Sequence, residues 1–343
     1  MKISVSAKSA LAKILSHVGI PEAAIRHRTG KRYLILMYHR ILPSDQVKPW
    51  IQAGMYVDPE TFEMQIRYLK KYFQVVSLAE KFSSLPTMEK ARSTRPFCIL
   101  TFDDGWQDFY EFAYPVLKRN QVPATVFLPT AYIGTDDWFW TDRLAMLLAT
   151  ATTKMKQEPS RTERCNPLLE RIAEITGNFE ERLEAAIRML KRRNAEEIED
   201  VIEGLEKSAN KVGSPRKRVF LNWDEVREME ASGLVSFGSH THNHRILVHL
   251  KEEEVEEELL LSMNTLLREK AVDPSFIPFC YPNGNFNQQI ACMVQEAGYH
   301  AAVSTGAGWN FEDASRVGLK REAIHQDMTA SREMFGCRIA GIL

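Results

Sequence analysis

The 343-residue sequence lacks several features that would assign it to a special class of protein. No stretch is both long and apolar enough to span a membrane. The net charge is −1, so no overall field favours nucleic acid or an acidic polymer. The five cysteines are scattered and form no CxxC pair, so a reducing compartment fits better than a disulfide framework. We therefore expect a cytoplasmic protein with no nucleic-acid partner and no transmembrane segment.

The N-terminus also lacks a secretory signal, because Lys8 and Lys13 interrupt any apolar core and no cleavage site follows one. Apolar residues recur there at helical spacing instead: Ile3, Leu11, Ile14, Leu15 and Val18. We expect residues 1–30 to form an amphipathic helix and lead-in whose apolar face packs on the rest of the domain. The alternative is a helix on the inner membrane surface, which the basic run Arg26-His27-Arg28 would favour.

Short apolar runs alternate with helical patterns along residues 31–136 and again along 216–343. This alternation is typical of a parallel α/β sheet with crossover helices. Residues 137–215 are helical in pattern and highly charged, and we interpret them as a helical insertion. The aromatic run Trp138-Phe139-Trp140 is expected to dock this insertion on the parent domain, or else to form a rim for a sugar ring.

Two polar motifs each follow an apolar run that predicts a buried strand. Thr101-Phe102-Asp103-Asp104-Gly105 follows the run 97–100, and His240-Thr241-His242-Asn243-His244 follows the run 234–238. Active sites of α/β barrels lie where strands end, so this placement favours a functional interpretation of both motifs.

The residue types in the two motifs are those of an open metal site. Adjacent aspartates at a strand end point in different directions, so one can bind a cation while the other faces a substrate. His240 and His244 are four residues apart, and a helix or a wide turn can bring both imidazoles to one cation. His242 between them is expected to point away. One aspartate is then left to accept a proton from water.

These two motifs resemble those of a known protein family. The motifs are similar to TFDDG and H[ST]xxH of the polysaccharide deacetylases of the NodB-homology type, carbohydrate esterase family four, from about residue 33 to about residue 330. The resemblance implies a distorted (β/α) barrel and metal-dependent removal of N-acetyl groups from amino sugars. Zn²⁺ is the expected metal, with Co²⁺ or Ni²⁺ as alternatives. By position, Asp103 would be the general base, and the metal ligands would be Asp104, His240 and His244.

The third motif of the family departs from its usual pattern in this chain. It appears as Cys280-Tyr281-Pro282-Asn283-Gly284, with Cys280 in place of the arginine that orients the base aspartate. Arg321, near the end of a late predicted strand, is our candidate for that task. The backbone N–H of Asn283 is the expected oxyanion donor, and Tyr281 is expected to contribute to the same substrate region.

The general acid has two candidates. The family's last motif supplies a histidine for the leaving amine, and His325 is the best match. His39 competes, because it ends the first predicted strand and should reach the same face of the barrel. The triplet Tyr38-His39-Arg40 resembles the start of the barrel in deacetylases that act on exopolysaccharides, so His39 is also a candidate substrate contact. Trp309 is the candidate for the family's tryptophan.

We therefore expect an enzyme that deacetylates an N-acetylated glycan or glycan precursor. One alternative keeps the fold and hydrolyses another linear amide. The other is a catalytically silent carbohydrate-binding protein, which the loss of the third-motif arginine favours and the intact aspartates and histidines disfavour.

Overall fold

A curled, mostly parallel sheet organises the chain. The structure is a computed structural model, and it describes residues 5–82, 94–151, 167–208 and 217–343. The strands are β1 (Arg32–Tyr38), β2 (Arg40–Ile41), β3 (Tyr56–Val57), β4 (Gln74–Val75), β5 (Phe97–Phe102), β6 (Ala124–Leu128), β7 (Val235–Ser239), β8 (Pro278–Cys280), β9 (Ala301–Val303), β10 (Asn310–Phe311) and β11 (Glu322–Ala323). The α-helices are α1 (Val5–His17), α2 (Ile20–Arg26), α3 (Pro59–Tyr72), α4 (Leu78–Phe82), α5 (Tyr114–Asn120), α6 (Trp140–Ala151), α7 (Pro167–Ala173), α8 (Phe179–Leu190), α9 (Ala195–Ser208), α10 (Trp223–Ala231), α11 (Glu252–Arg268), α12 (Gln288–Glu296), α13 (Gln326–Thr329) and α14 (Arg332–Ile339).

The sheet curls so that its last strand approaches its first. Parallel strands follow one another in the order β11, β1, β5, β6, β7, β8, β9, and β10 adds antiparallel to β1. Leu319 pairs with Val303 of β9, and four residues later Ala323 pairs with Met37 of β1. The segment 319–323 thus links the two ends of the sheet, and the predicted distorted (β/α) barrel is confirmed.

The strands form where the sequence offers short, nearly continuous apolar runs. Such runs suit a parallel sheet because both of its faces are covered. The buried residues that cluster on the inner side of the curl come from several strands: Tyr33, Ile35, Ile99, Phe127, Cys280, Ala301, Val303 and Leu319. Side chains alternate along a strand, so Thr101 and Asp103 continue the face of Ile99 and point inward.

Most predicted elements are present, with small shifts in their bounds. Asn222 caps α10 and exchanges two hydrogen bonds of 2.8 Å with Glu225 in a capping box. Strand β4 is short, because only Gln74 and Val75 pair with β5 and α4 begins at Leu78.

Contacts divide the chain into two compact units. The first comprises Met1–Asp45, Ala53–Thr135 and Val219–Leu343, and the second comprises Gln46–Gln52 and Asp136–Arg218. The second unit covers the stretch that the sequence pattern predicts as an insertion. It also takes in residues 46–52, which the pattern assigns to the barrel, because Trp50 packs against the core of this unit.

The second unit has a hydrophobic core of its own, built by α6, α8 and α9 with α7 against them. Its largest buried members are aliphatic: Leu144, Leu147, Leu148, Leu183, Leu190 and Leu205. Trp140 packs against this core, and the indole N–H of Trp138 donates to the carbonyl of Lys217 at 2.9 Å. Residues 152–166 and 209–216, which include the predicted boundary at 215, lie outside the described residues.

The N-terminal helix packs on the domain, as expected, but of the predicted apolar residues that the structure describes only Leu15 is at the contact. Ala12 is buried against Met334 and Cys337 of α14, with Leu15 beside them. The larger residues of the predicted apolar face do not pack there: Leu11, Ile14 and Val18 are exposed. Ile3 lies outside the described residues. No helix within the described ranges has the length and apolar character to cross a membrane.

Candidate active site

The predicted site residues lie at one edge of the sheet, where the parallel strands end. The register aligns Ala323, Met37 and Thr101 across β11, β1 and β5. Two positions beyond these residues lie three predicted site residues: His325, His39 and Asp103. On the other side of β5 and β6, β7 delivers His240, whose N–H donates to the carbonyl of Leu128 at 2.9 Å.

Asp104, His240 and His244 form a group that can hold a metal ion. Oδ1 of Asp104 lies 3.4 Å from Nε2 of His240 and 3.3 Å from Nε2 of His244. Nδ1 of His240 is 2.8 Å from the carbonyl of Cys280, which can only accept, so Nδ1 donates and Nε2 is left for a cation. Two imidazoles and one carboxylate with further positions open are the ligand set of a catalytic zinc site, so these residues fit the metal that the resemblance implies.

Asp104 is held by a tryptophan that the sequence motifs do not single out. The indole N–H of the buried Trp106 donates to Oδ2 of Asp104 at 3.0 Å, which leaves Oδ1 directed at the two histidines. The Arg40 guanidinium lies 4.3 Å from the Trp106 ring centre and donates through Nε to Asp108 at 2.8 Å. In the sequence, the one signal for Trp106 is that it directly follows the acidic motif.

The local electrostatics favour an ionised Asp104 and a neutral His244. Burial raises the pKa of Asp104, but hydrogen bonds with His240 and His244 outweigh burial and hold that pKa well below its usual range. The pKa of His244 is lowered, chiefly by burial and also by the nearby His240. Burial lowers the pKa of His240, but its contacts with Cys280 and Asp104 prevail and raise that pKa. Because a carboxylate and a neutral imidazole are the forms that bind a metal, metal binding would release a proton from His240.

The backbone of both motifs adopts unusual conformations. Asp104 has φ 74°, Thr241 has φ 62° and His244 has φ 57°, all in the left-handed region that residues with a Cβ rarely occupy. Thr241 is β-branched, which makes its conformation the most strained of the three. His240 and His244 therefore approach Asp104 through an irregular turn rather than from a helix.

Glu258 holds this turn in place. Its carboxylate accepts the backbone N–H groups of His242 and Asn243 at 2.9 and 2.8 Å and the Asn243 side chain at 2.9 Å. Glu258 is buried on the apolar stripe of α11, and an acidic residue on such a stripe is a signal that could have identified it. His242 points away from the two ligands, as expected, with its Nδ1 2.9 Å from Thr130 Oγ1.

Asp103 is gripped by Arg321, the residue predicted to replace the missing arginine. Nη1 and Nη2 of Arg321 donate to the two carboxylate oxygens of Asp103 at 2.6 and 2.7 Å. The Arg321 side chain is 0% exposed, and it also contacts Thr101 and the sulfur of Cys280. Burial raises the pKa of Asp103, but the Arg321 charge and its hydrogen bonds prevail and lower it.

A second group of potential ligands is much less suitable for a metal. Asp103, His240 and Cys280 also lie close enough to share an ion. However, both Asp103 oxygens already accept hydrogen bonds from Arg321, whose positive charge would repel a cation. Burial also raises the pKa of the Cys280 thiol, which disfavours the thiolate that binds metals.

Both candidates for the general acid lie at this edge of the sheet. His39 contributes to the lowered pKa values of Asp103 and Asp104, so it lies within electrostatic reach of the pair. His325 precedes α13, and its Nδ1 contacts the carboxylate of Asp327. That contact orients the imidazole and leaves Nε2 for a substrate, but nothing in the sequence motifs points to Asp327.

Asn283 and Tyr281, the other two predicted site residues, differ in their distance from the strand ends and in their burial. Asn283 lies in the turn after β8 with φ 58°, next to the strand end that carries Cys280. Tyr281 is fully buried, donates its hydroxyl to the carbonyl of Val317 at 2.9 Å and stacks on Phe286. The structure therefore does not bring the Tyr281 side chain to the two aspartates.

Trp309, the candidate for the family's tryptophan, is a core residue. Its indole N–H donates to the carbonyl of Ile339 at 2.8 Å, and its ring stacks on Phe73 and lies under the guanidinium of Arg28. None of these partners belongs to the site.

Comparison with known proteins identifies the family. The sequence model described as "Polysaccharide deacetylase" matches residues 90–166 and 176–302, more than half of the chain. The chain therefore belongs to the polysaccharide deacetylase family.

Curated relatives match over shorter stretches. The poly-beta-1,6-N-acetyl-D-glucosamine N-deacetylase of Staphylococcus epidermidis is 30% identical over 113 residues, 31% of this chain and 38% of that protein. The putative polysaccharide deacetylase YxkH of Bacillus subtilis is 34% identical over 101 residues, 29% of this chain and 33% of that protein. The matched parts thus span well under half of the length of these relatives.

Solved structures share the fold over most of the chain. IcaB from Ammonifex degensii superimposes with a TM-score of 0.55 and 17% identity, over 92% of this chain and 97% of that one. The Streptococcus pyogenes deacetylase PplD, solved with acetate, gives a TM-score of 0.53 and 20% identity, over 87% of this chain and 94% of that one. At these identities the similarity shows the fold.

Proposed function

We propose that this protein is a metal-dependent N-deacetylase that removes acetyl groups from an amino-sugar-containing polysaccharide, oligosaccharide or glycan precursor. The observation that carries the proposal is the division of labour between two adjacent aspartates. Arg321 holds Asp103 by two hydrogen bonds of 2.6 and 2.7 Å, while Asp104 faces His240 and His244. A deacetylase needs both a metal ligand and a separate base, and this pair provides them.

The metal in this proposal is Zn²⁺, held by Asp104, His240 and His244. When bound, such an ion polarises the acetamide carbonyl and lowers the pKa of a water molecule. The turn built on Glu258 and the indole of Trp106 fix the three ligands before the metal arrives.

The protein's own side chains move the protons. Asp103 accepts a proton from the attacking water, because its pKa is held low enough to keep it ionised at neutral pH. His325, oriented through Nδ1 by Asp327, donates a proton from Nε2 to the leaving amine. His39 lies beside the aspartates and contacts the sugar or replaces His325 as the acid. The backbone N–H of Asn283 stabilises the developing oxyanion.

Poly-beta-1,6-N-acetyl-D-glucosamine is the first substrate to test, because it appears in the names of several relatives. The Staphylococcus epidermidis relative is named for poly-beta-1,6-N-acetyl-D-glucosamine. Acetate release from this polymer, from chito-oligosaccharides and from a linear N-acetylated amide separates the glycan proposal from the amide alternative. Release only from the linear amide would refute the glycan substrate. Release from no member, with sugar binding retained, would instead support a silent carbohydrate-binding protein.

Two variants test the assignment of roles. Asp103→Asn should abolish acetate release while metal content, measured by elemental analysis, stays unchanged, because Asp103 is paired with Arg321 rather than with the histidines. His244→Ala should lose the metal. The matched control is His242→Ala, which alters the same turn but should keep the metal, since His242 faces Thr130. Loss of metal from the Asp103→Asn variant would overturn the separation of base from ligand.

A further inference from the structure

Four large apolar side chains between residues 11 and 20 are exposed. Leu11 is 39% exposed, Ile14 and Val18 are each 64% exposed, and Ile20 is 43% exposed. We call these four residues the N-terminal patch. Leu11, Ile14 and Val18 follow one another at spacings of three and four, and Val18 N–H still donates to the carbonyl of Ile14, so the three share one helical face.

This patch is not the face by which α1 packs on the barrel. The buried contact with α14 is made by Ala12, with Leu15 beside it. Helix α1 is therefore apolar on two sides, and the side with the larger residues is left without cover among the described residues. Exposed apolar residues that share a helical face are typical of a surface that binds another protein or a membrane.

The charge around the patch indicates what it binds. Residues 5–31 contain five lysines and arginines and a single acidic residue, Glu22, whose carboxylate accepts the hydroxyl of Tyr68. Lys13 and Arg26 are exposed, and α1 contains no acidic residue. Apolar residues within a cationic segment complement an anionic lipid surface, into which the side chains insert while the lysines contact the headgroups.

A second pair of exposed apolar residues in this chain lies in surroundings of the opposite charge. Leu260 and Leu261 on α11 are 42% and 40% exposed. That helix begins with Glu252-Glu253-Glu254 and carries further glutamates, so an anionic bilayer would repel it. The two clusters are similar in exposure and opposite in charge.

We propose that the N-terminal patch docks the protein onto an anionic lipid bilayer. A second copy of the chain is a poorer occupant, because a symmetric contact would place the lysines of one copy against those of the other. Docking through four side chains and a few charges gives reversible, salt-sensitive binding rather than permanent anchoring.

Vesicle sedimentation with the full chain tests the proposal. The wild-type protein should bind vesicles of phosphatidylcholine and phosphatidylglycerol, bind phosphatidylcholine vesicles much more weakly, and dissociate at high salt. In the Ile14→Ser/Val18→Ser variant the partition coefficient should fall at least about tenfold for each side chain. In a Lys8→Gln/Lys13→Gln variant it should fall about fivefold for each lysine.

The matched control is Leu260→Ser/Leu261→Ser, which removes two exposed leucines from an acidic helix and should bind as the wild type does. Circular dichroism should show all variants folded, since every substituted side chain is at least partly exposed. Absence of wild-type binding, or an equal loss in the control, would overturn the proposal. So would a wild-type dimer, seen by sedimentation equilibrium, that dissociates in the Ile14→Ser/Val18→Ser variant. The assay uses no glycan, so its result is independent of the proposed deacetylase activity.

Discussion

Replacing Arg321 with methionine tests how this protein holds Asp103, the proposed catalytic base. Methionine keeps an apolar stem and removes the guanidinium, so Asp103 loses two hydrogen bonds of 2.6 and 2.7 Å while remaining buried. Removing one partner of a buried ion pair costs about 3–5 kcal/mol of unfolding free energy, because the remaining charge is left unpaired. We expect a loss of this size in urea denaturation.

The same variant should lose activity in a characteristic way. A base that is no longer held in position forfeits its contribution, so kcat should fall about 10²–10⁴-fold. KM should change little, because Arg321 has no exposed surface with which to touch a substrate. Without the guanidinium, burial raises the pKa of Asp103, so the acidic limb of kcat/KM should move to higher pH.

Three further variants separate positioning from general stability. Arg321→Lys keeps the charge but cannot form the two-pronged contact, so it should fold well and still be slow. Arg143→Met removes a buried arginine paired with Glu206 in the second unit and should reduce stability without moving the acidic limb. Cys280→Arg in an Arg321→Ala background should restore part of kcat, since the Cys280 sulfur lies 3.2 Å from Nη2 of Arg321. Unchanged kcat and an unchanged acidic limb in R321M would refute the reasoning.

Two other predictions concern the shell around the site. Trp106→Phe keeps an aromatic side chain and removes the N–H that binds Asp104, so metal affinity measured by titration should fall about 10–100-fold. Equal affinity would contradict a positioning role. Gly238→Ala would place a Cβ 2.5 Å from the carbonyl oxygen of Pro278, so the unfolding free energy should fall by about 1–3 kcal/mol or more. Its control, Gly54→Ala, meets no atom within 4 Å and should be neutral in the same urea titration.

The fold and the centre of the site could be predicted because their signals are local. Each strand is a short apolar run, and both polar motifs follow such runs directly, so strand type and the edge that carries the chemistry are evident from the sequence. We predicted that Arg321 performs the task of the missing third-motif arginine because Arg321 lies near the end of a predicted strand. The structure brings Arg321 to Asp103, but its role in catalysis stays a prediction.

The residues that support the site could not be predicted in the same way. Glu258 reaches the histidine turn from a helix that begins after it, and Asp327 reaches His325 within a turn that has no recognisable motif. The set of α1 residues that make the contact could not be predicted for a related reason. Periodicity shows that a helix has an apolar face, but the choice of Ala12 over Leu11 and Ile14 depends on the shape of α14, which is distant in sequence.

The contact between Arg321 and Asp103 joins residues that are 218 positions apart. Closing so large a loop is entropically costly, and contacts of this range form late in folding. Asp103 is therefore paired only after the first strands of the barrel have met the segment 319–323. A nascent chain that has not yet been synthesised as far as Arg321 therefore carries the acidic motif without the arginine that pairs with Asp103.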